Sequence, residues 1–392
     1  MSSKYAIAIV GYNRLESLKR VLKSVENADY EGEKVDLIID LDNPGYDTLV
    51  EFSKQYEWKY GEKRVKSYPQ RLGLRAHMIE VGELLNEYEA IAVLEDDVYV
   101  STQFYKYMKQ TVEFYKDDMD IFGIAMYAKR TNHNVTRPFC PMMSGYDVYF
   151  QQDPISYGQI WLKKQWFLFK EWYLTESGKY QKVSNVPKQL NALPETSYLK
   201  YVAKYSALNN KYFVIPYKAY STCFSDLGEH TVITDVSLQL PLIYDQYQEV
   251  NLVKLQDCIA VYDSFYENKK LGQMADLQDV CIDLYDNKDN ENHHRYWLTT
   301  GIYDYKIVKS YGLVMKPHEM NVLQNIEGNQ IFLYDTQKSE KNPWKKKAYE
   351  EAVYDVGVQA QQFYFIKRLV KGKLKEKMAI LKKKLFKKSK KK

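Results

Sequence analysis

Cysteine, glycine and proline are all scarce in this chain of 392 residues, at four, 17 and 11. The cysteines (Cys140, Cys223, Cys258 and Cys281) lie far apart and form no CxxC pair. That excludes a zinc ribbon or a disulfide framework and fits a reducing compartment. So little glycine and proline excludes a collagen-like or low-complexity chain. No apolar stretch reaches the ~20 residues of a membrane-spanning helix. The opening, MSSKYAIAIVGYNR, has an apolar run too short for a secretory leader, so a cytoplasmic location is the expectation. Arginine is rare too, nine against 47 lysines, while there are 37 tyrosines. Lysine and tyrosine both have AT-rich codons, and we read their excess as genome composition.

What is present is enough apolar chain, 45%, to build a full core without staples. At about 150 residues per domain the length suggests two or three domains. The net charge of +5 hides an asymmetry: residues 363–392 hold 14 Lys/Arg and one acid, net +13, which leaves −8 on the first 362.

Apolar runs at residues 5–10, 35–39, 90–94 and 121–125 read as buried strands. Between them lie helical patterns: one after Asn13 with Leu18, Val21, Leu22 and Val25 on one face, one from Gly73 to Leu85, and one over 102–116. Strands alternating with helices predict an α/β fold with a mostly parallel sheet flanked by helices. Such sheets bind ligands at the carboxyl ends of their strands. Asn13-Arg14, Asp40/Asp42 and Glu95-Asp96-Asp97 all fall there. Three adjacent carboxylates repel one another, and a divalent metal relieves that repulsion while keeping positions open for substrate phosphates. Mg²⁺ or Mn²⁺ is therefore the expected cofactor. Arg14, beside a helix N-terminus, is suited to phosphate.

The stretches AIAIVGYNRLESLKRVLKSV, VDLIIDLDNPG, RLGLRAHMIEVGELL and IAVLEDDVYVSTQFYKYM, in that order, resemble nucleotide-sugar glycosyltransferases of the GT-A fold. The similarity is to bacterial polysaccharide-building, family 2-like enzymes and to N-acetylglucosaminyltransferase I. Two later blocks, DVYFQQDPISYGQIWLKKQW and ETSYLKYVAKYSALNNKYFVIPYKAYSTCFSDLGEHT, extend it over roughly residues 5–231. The resemblance implies a GT-A (Rossmann-like) catalytic domain over 1–231 and a nucleotide-sugar donor. It implies that Arg14 meets the donor pyrophosphate and Asp42 the base, with Asp40 as the reserve. Arg71 and Arg75 would cover the nucleotide. Asp97 would hold the metal, with Glu95 and Asp96 meeting the ribose and the metal's water shell. Trp161, in the Ser156–Trp161 block, would stack on sugar or base. His230, in Gly-Glu-His-Thr, would approach diphosphate or metal. An inverting transfer needs one base to deprotonate the acceptor hydroxyl. The matching acid is Glu195, with Asp153 in reserve.

Residues 232–345 read as a C-terminal region of unknown role. From 346 to 392 the chain becomes lysine-rich and helical. There Ile366, Leu369, Val370, Leu374, Met378, Leu381 and Leu385 recur at three- and four-residue steps, a basic amphipathic helix suited to an anionic membrane surface. With one arginine and no aromatics placed to stack bases, nucleic acid is not expected as a partner. The implied protein is a peripheral enzyme on the inner face of a bacterial plasma membrane, acting on a saccharide or lipid-linked saccharide. A sugar nucleotidyltransferase and a non-catalytic membrane-bound scaffold are the alternatives.

Overall fold

The apolar runs do form buried strands. The structure, a computed structural model, describes residues 4–42, 47–176, 178, 180–227, 236–244, 246–288, 294–345 and 348–357, with 367–368, 370–375 and 378 beyond them. Its first part alternates β1 (Tyr5–Gly11), α1 (Leu15–Glu26), β2 (Asp36–Leu41), α2 (Asp47–Gln55), β3 (Lys63–Ser67), α3 (Leu74–Gly82), β4 (Ala90–Glu95), β5 (Val98–Val100), α4 (Phe104–Tyr115) and β6 (Ile121–Ala125). β1, β2 and β6 are buried on both faces, so apolar residues follow one another in them and do not alternate strictly with polar ones. α1 buries Leu18, Val21, Leu22 and Val25, the face its spacing predicts.

The chain continues through a short hairpin, β7 (Thr131–Asn132) and β8 (Arg137–Pro138), to β9 (Val148–Gln151), β10 (Gln159–Leu162), α5 (Lys163–Glu176), α6 (Lys188–Asn191), α7 (Leu199–Leu208), β11 (Tyr212–Pro216), β12 (Ser221–Cys223) and β13 (Val261–Tyr262). One nine-stranded sheet, in the order β13-β9-β11-β6-β10-β4-β1-β2-β3, organises this part. Its β1, β2, β3 and β4 neighbours pair parallel, as do β6 with β11 and β9 with β13. β10 runs antiparallel between β4 and β6, and β9 antiparallel beside β11. The expected α/β architecture, a mostly parallel sheet flanked by helices, is the one formed.

Residue 231, the expected end of the catalytic domain, does not coincide with a break in packing. Val250, Val253, Ala260 and Tyr262 belong to the same core as β1 and β4, and β13 lies on the large sheet. A second, smaller core begins at Leu271 and includes Ile282, Leu298, Leu313 and Leu333. It is built by α8 (Leu271–Met274), β14 (Val280–Asp283), β15 (Tyr296–Thr299), β16 (Tyr305–Tyr311), α9 (His318–Leu323) and β17 (Ile331–Ser339), whose four strands form a sheet in the order β14-β15-β17-β16. The helix α10 (Ala348–Val356) falls in the expected tail, yet it docks on the body. Arg137 bonds Glu351 at 2.5 Å and Asp355 at 2.7 Å, and the Tyr354 hydroxyl donates to the Met315 carbonyl. The described tail residues beyond it are helical, and Val370, Leu374 and Met378, at four-residue steps, are exposed.

Close packing behind β4 gives a stability test. Trp161 on β10 stacks on Trp166 of α5 with ring centroids 4.2 Å apart. A Cβ on Gly82, at the end of α3, would come within 2.0 Å of the Trp166 ring. Alanine is the better helix former by about 1 kcal/mol, but overpacking a dense core costs about 1–3 kcal/mol. Here the intruding atom meets a ring already fixed by stacking, so the steric term wins. Gly82→Ala should lower the thermal midpoint by several degrees, measured by scanning calorimetry.

Candidate active site

Three parallel strands end together, and their ends line one cavity of about 440 Å³. β1 supplies Gly11 and the following Tyr12, Asn13 and Arg14; β2 supplies Asp42; β4 supplies Glu95, Asp96 and Asp97. Opposite them stand Ser156 and Tyr157, the segment around Pro194 and Ser197, and Cys223 with Ser225.

At the centre is an arginine clamped between carboxylates. Arg14, the residue before α1, pairs with Asp96 through Nε and Nη2, and its Nη1 lies 3.1 Å from Asp97. Asp96 is buried. Loss of solvent pushes its carboxyl up to about 6 against the pull of Arg14. The same loss of solvent, with the Asp97 and Asp96 charges added, pushes Glu95 up to about 8. The triplet is thus short of positive charge even with Arg14 in place. Among the described residues no group of three His, Cys, Asp or Glu side chains is arranged as a metal site. Two carboxylates, however, already converge on a single cation, the guanidinium. Asp96 and Asp97 therefore fit a Mg²⁺ or Mn²⁺ ion that takes its remaining ligands from water and phosphate.

The second corner of the cavity is held by Asp42, whose carboxylate accepts the Leu72 N–H at 2.6 Å and the Gly73 N–H at 3.0 Å. Gly73 sits at φ +80°, a conformation side chains resist. Arg71 lies over the Tyr12 ring, 4.4 Å from its centre. Asp40 is fully buried and bonds His77 Nε2 at 2.8 Å, so His77, not Asp40, lines the cavity.

Other expected residues fall elsewhere. Trp161 is 1% exposed, stacked on Trp166, and donates to Gln159; a strand in mid-sheet packs it into the core, where it cannot stack on a ligand. Asp153 is buried, ion-paired to Lys129 and bonded by the Tyr266 hydroxyl, away from the cavity. Arg75 bonds the Tyr201 hydroxyl at 2.7 Å and stands 3.8 Å from Glu195. Glu195 is an exposed neighbour of the lining residues Pro194 and Thr196, and the Lys200 ammonium at 2.6 Å holds its carboxyl below the usual range. His230 lies outside the described residues.

Sequence reasoning missed Asp226. Its carboxylate accepts from Ser17 and Arg20 on α1, and its carbonyl accepts from Arg14 at 3.3 Å. Phe224 donates its N–H to the Asp97 carbonyl at 2.9 Å and stacks under Arg20. The segment after β12 is therefore tied across the cleft to both the arginine and the acid triplet. The signal available in the sequence was one more acid, four residues before His230.

No family model matches the chain, and no curated protein does. Among solved structures it is similar to S. aureus TarS 1–349, at 15% identity and TM-score 0.37 over 57% of this chain and 60% of that one. Its complex with UDP-GlcNAc gives 14%, 0.39, 58% and 60%. The mannosyltransferase PcManGT from Pyrobaculum calidifontis, in complex with GDP-Man and Mn²⁺, gives 9%, 0.30, 42% and 46%. The chain thus spans 60% or less of each, and so loose an overlap leaves the functional argument to the site itself.

If Arg14 is the resident counter-ion of the triplet, removing it should sharpen the need for a metal. Arg14→Met should bind Mn²⁺ without nucleotide several-fold more tightly than the unchanged protein, and bind nucleoside diphosphate more weakly. Isothermal titration of each ligand separately measures both changes.

Proposed function

We propose that this chain is a nucleotide-sugar glycosyltransferase of the GT-A kind, inverting and dependent on a divalent metal. The observation that carries this is the Arg14–Asp96–Asp97 cluster at the carboxyl ends of β1 and β4. A cavity that joins paired carboxylates to an arginine at a helix start suits a diphosphate bridged to a metal. When bound, the metal supplies Lewis-acid stabilisation of the leaving diphosphate. Asp96 and Asp97 would hold it, with His230 as a further candidate. Arg14 would then turn its guanidinium to the phosphate oxygens, which it binds in a fixed fork.

Asp42, Tyr12 and Arg71 form the corner suited to the base, and Asn13 and Glu95 line the path between base and phosphates. Glu195, at the rim, is the proposed general base for the acceptor hydroxyl. Its lowered proton affinity keeps it ionised, and approach of the acceptor must loosen its contact with Lys200 before it takes the proton. The proposed acceptor is a lipid-linked saccharide presented at the inner leaflet of a bacterial membrane.

The nucleotides held by the neighbouring structures, UDP, UDP-GlcNAc and GDP-Man, head the panel to screen. A ligand at 100 times its Kd that binds only the folded state adds about 2.7 kcal/mol. One nucleotide should therefore raise the thermal midpoint with Mn²⁺ and much less without it, and Asp97→Asn should erase the difference. Unchanged metal dependence in Asp97→Asn would remove the assignment.

The tail is proposed as the membrane contact. The body of net −8 repels anionic lipid, whereas each tail lysine near such a surface contributes about 1 kcal/mol. A chain ending at Gln362 keeps α10 and should retain the thermal midpoint of the full chain. It should fail to sediment with phosphatidylglycerol vesicles that pull down the full-length protein, and vesicle sedimentation of the two compares them directly.

A further inference from the structure

The helix α10 has its two faces reversed. Its charged side is turned to the body, where Glu351 and Asp355 meet Arg137 and the Tyr354 hydroxyl reaches the Met315 carbonyl. Its apolar side is turned to solvent. Tyr349 is 63% exposed and Val356 65%, and Ala352 is exposed between them. Steps of three and four residues put these side chains in one stripe. A helix at the surface of a globular protein ordinarily buries such a stripe and turns its charges outward. The reversal has a local cause. Arg137, on the hairpin strand β8, is largely buried, and a buried guanidinium must be paired, so the acids decide which face docks.

The position of the stripe favours a lipid surface over a second copy of the chain. Nine residues of helix make a rod about 14 Å long and about 10 Å wide, a footprint on the order of 140 Å². A stable dimer needs about 800 Å² from each partner. A bilayer needs no matching surface, and one is expected close by. From Val356 to residue 363, where the net +13 segment begins, there are seven residues. At no more than about 3.6 Å each, they hold the end of α10 within about 25 Å of wherever that segment rests.

Charge does not oppose the contact. Glu351 and Asp355 point inward to Arg137, and Glu350 lies to one side, accepting from the Gln330 amide at 3.1 Å. The stripe itself is uncharged, although the first 362 residues carry net −8. Tyr349, with the exposed Trp344 just ahead of the helix, is also of the kind that settles at headgroup level, ring inward and polar tip outward.

We propose that the outer face of α10 is a second membrane contact, laid on the anionic bilayer that the tail reaches first. This rests on the membrane reading of the tail given above. A tail alone tethers the protein, whereas α10 is bonded to the body, so contact through it sets the angle at which the body faces the lipid. The stripe is too small to bind by itself, in keeping with the failure to sediment expected of the chain ending at Gln362.

Hydroxyl-radical footprinting of the full-length protein tests this, with phosphatidylglycerol vesicles as probe and phosphatidylcholine vesicles as comparison. Phosphatidylglycerol should slow oxidation of Tyr349 at least threefold, together with Met378 on the tail. It should leave Phe114 and Met119 unchanged: these are exposed ahead of β6, whereas the hairpin that receives α10 follows it. Phosphatidylcholine should protect none of them. Protection of Met378 with Tyr349 unchanged would remove the α10 contact and leave the tail; protection of Tyr349 alone would do the reverse, and protection of neither would remove both. Equal protection of Phe114 and Met119, or equal protection of Tyr349 by phosphatidylcholine, would also overturn the proposal. Without vesicles, Tyr349 should be oxidised at one rate in the full chain and in the chain ending at Gln362, at every protein concentration. A faster rate in the shorter chain would show that the tail itself covers the stripe, and a rate that falls with protein concentration would show a second copy there; either result would overturn the lipid assignment.

Discussion

One arginine balances three carboxylates, and the architecture of the cleft follows from that imbalance. Glu95, Asp96 and Asp97 are consecutive at the end of a strand held among other strands, with Asp96 buried and the other two only partly open to solvent. Parallel pairing of β1 with β4 brings Arg14, three residues past β1, to Asp96 and Asp97. The same arginine holds the Asp226 carbonyl, and Asp226 in turn ties Ser17 and Arg20 of α1. Removing the arginine would leave buried like charges facing each other, which a protein tolerates only by taking up protons or a cation. The cluster is therefore both the structural knot of the cleft and the feature that points to a diphosphate-metal ligand.

The excess of tyrosine has a structural outlet. Tyr30, Tyr107 and Tyr115 are buried in the main core, and their hydroxyls donate to the carbonyls of Val25, Ala125 and Val253. A buried tyrosine serves as a core aromatic when its hydroxyl finds an acceptor. This is how a chain so rich in tyrosine can bury these rings while their hydroxyls stay hydrogen-bonded.

Much of the parallel half was legible because β1, β2, β4 and β6 are buried on both faces and carry runs of consecutive apolar residues. β1, β2, β4 and β6 fall within one or two residues of the expected limits. β3 was not legible: Lys63-Arg-Val-Lys-Ser is a half-exposed edge strand with no apolar run. Nor was the antiparallel insertion of β10, which decides that Trp161 faces the core and not the cleft, since pairing partners far apart in the chain leave no local trace. Asp42 and the triplet were readable from their place after strands. Asp153 was not, because its partner Lys129 is joined to it only by the tertiary fold. The docking of α10 was not legible for a related reason, since the ion pairs of Arg137 with Glu351 and Asp355 hold it to the body across more than 200 residues.

The central claim is that the Arg14–Asp96–Asp97 cluster gives way to a metal bound jointly with a nucleoside diphosphate. Electron paramagnetic resonance of free Mn²⁺ tests it most directly. In the presence of a nucleoside diphosphate that stabilises the protein, one equivalent of Mn²⁺ should disappear from the free signal beyond what the nucleotide alone removes, and protein without nucleotide should remove little. Equal loss of signal with and without nucleotide, or no loss beyond that caused by the nucleotide, would contradict the account.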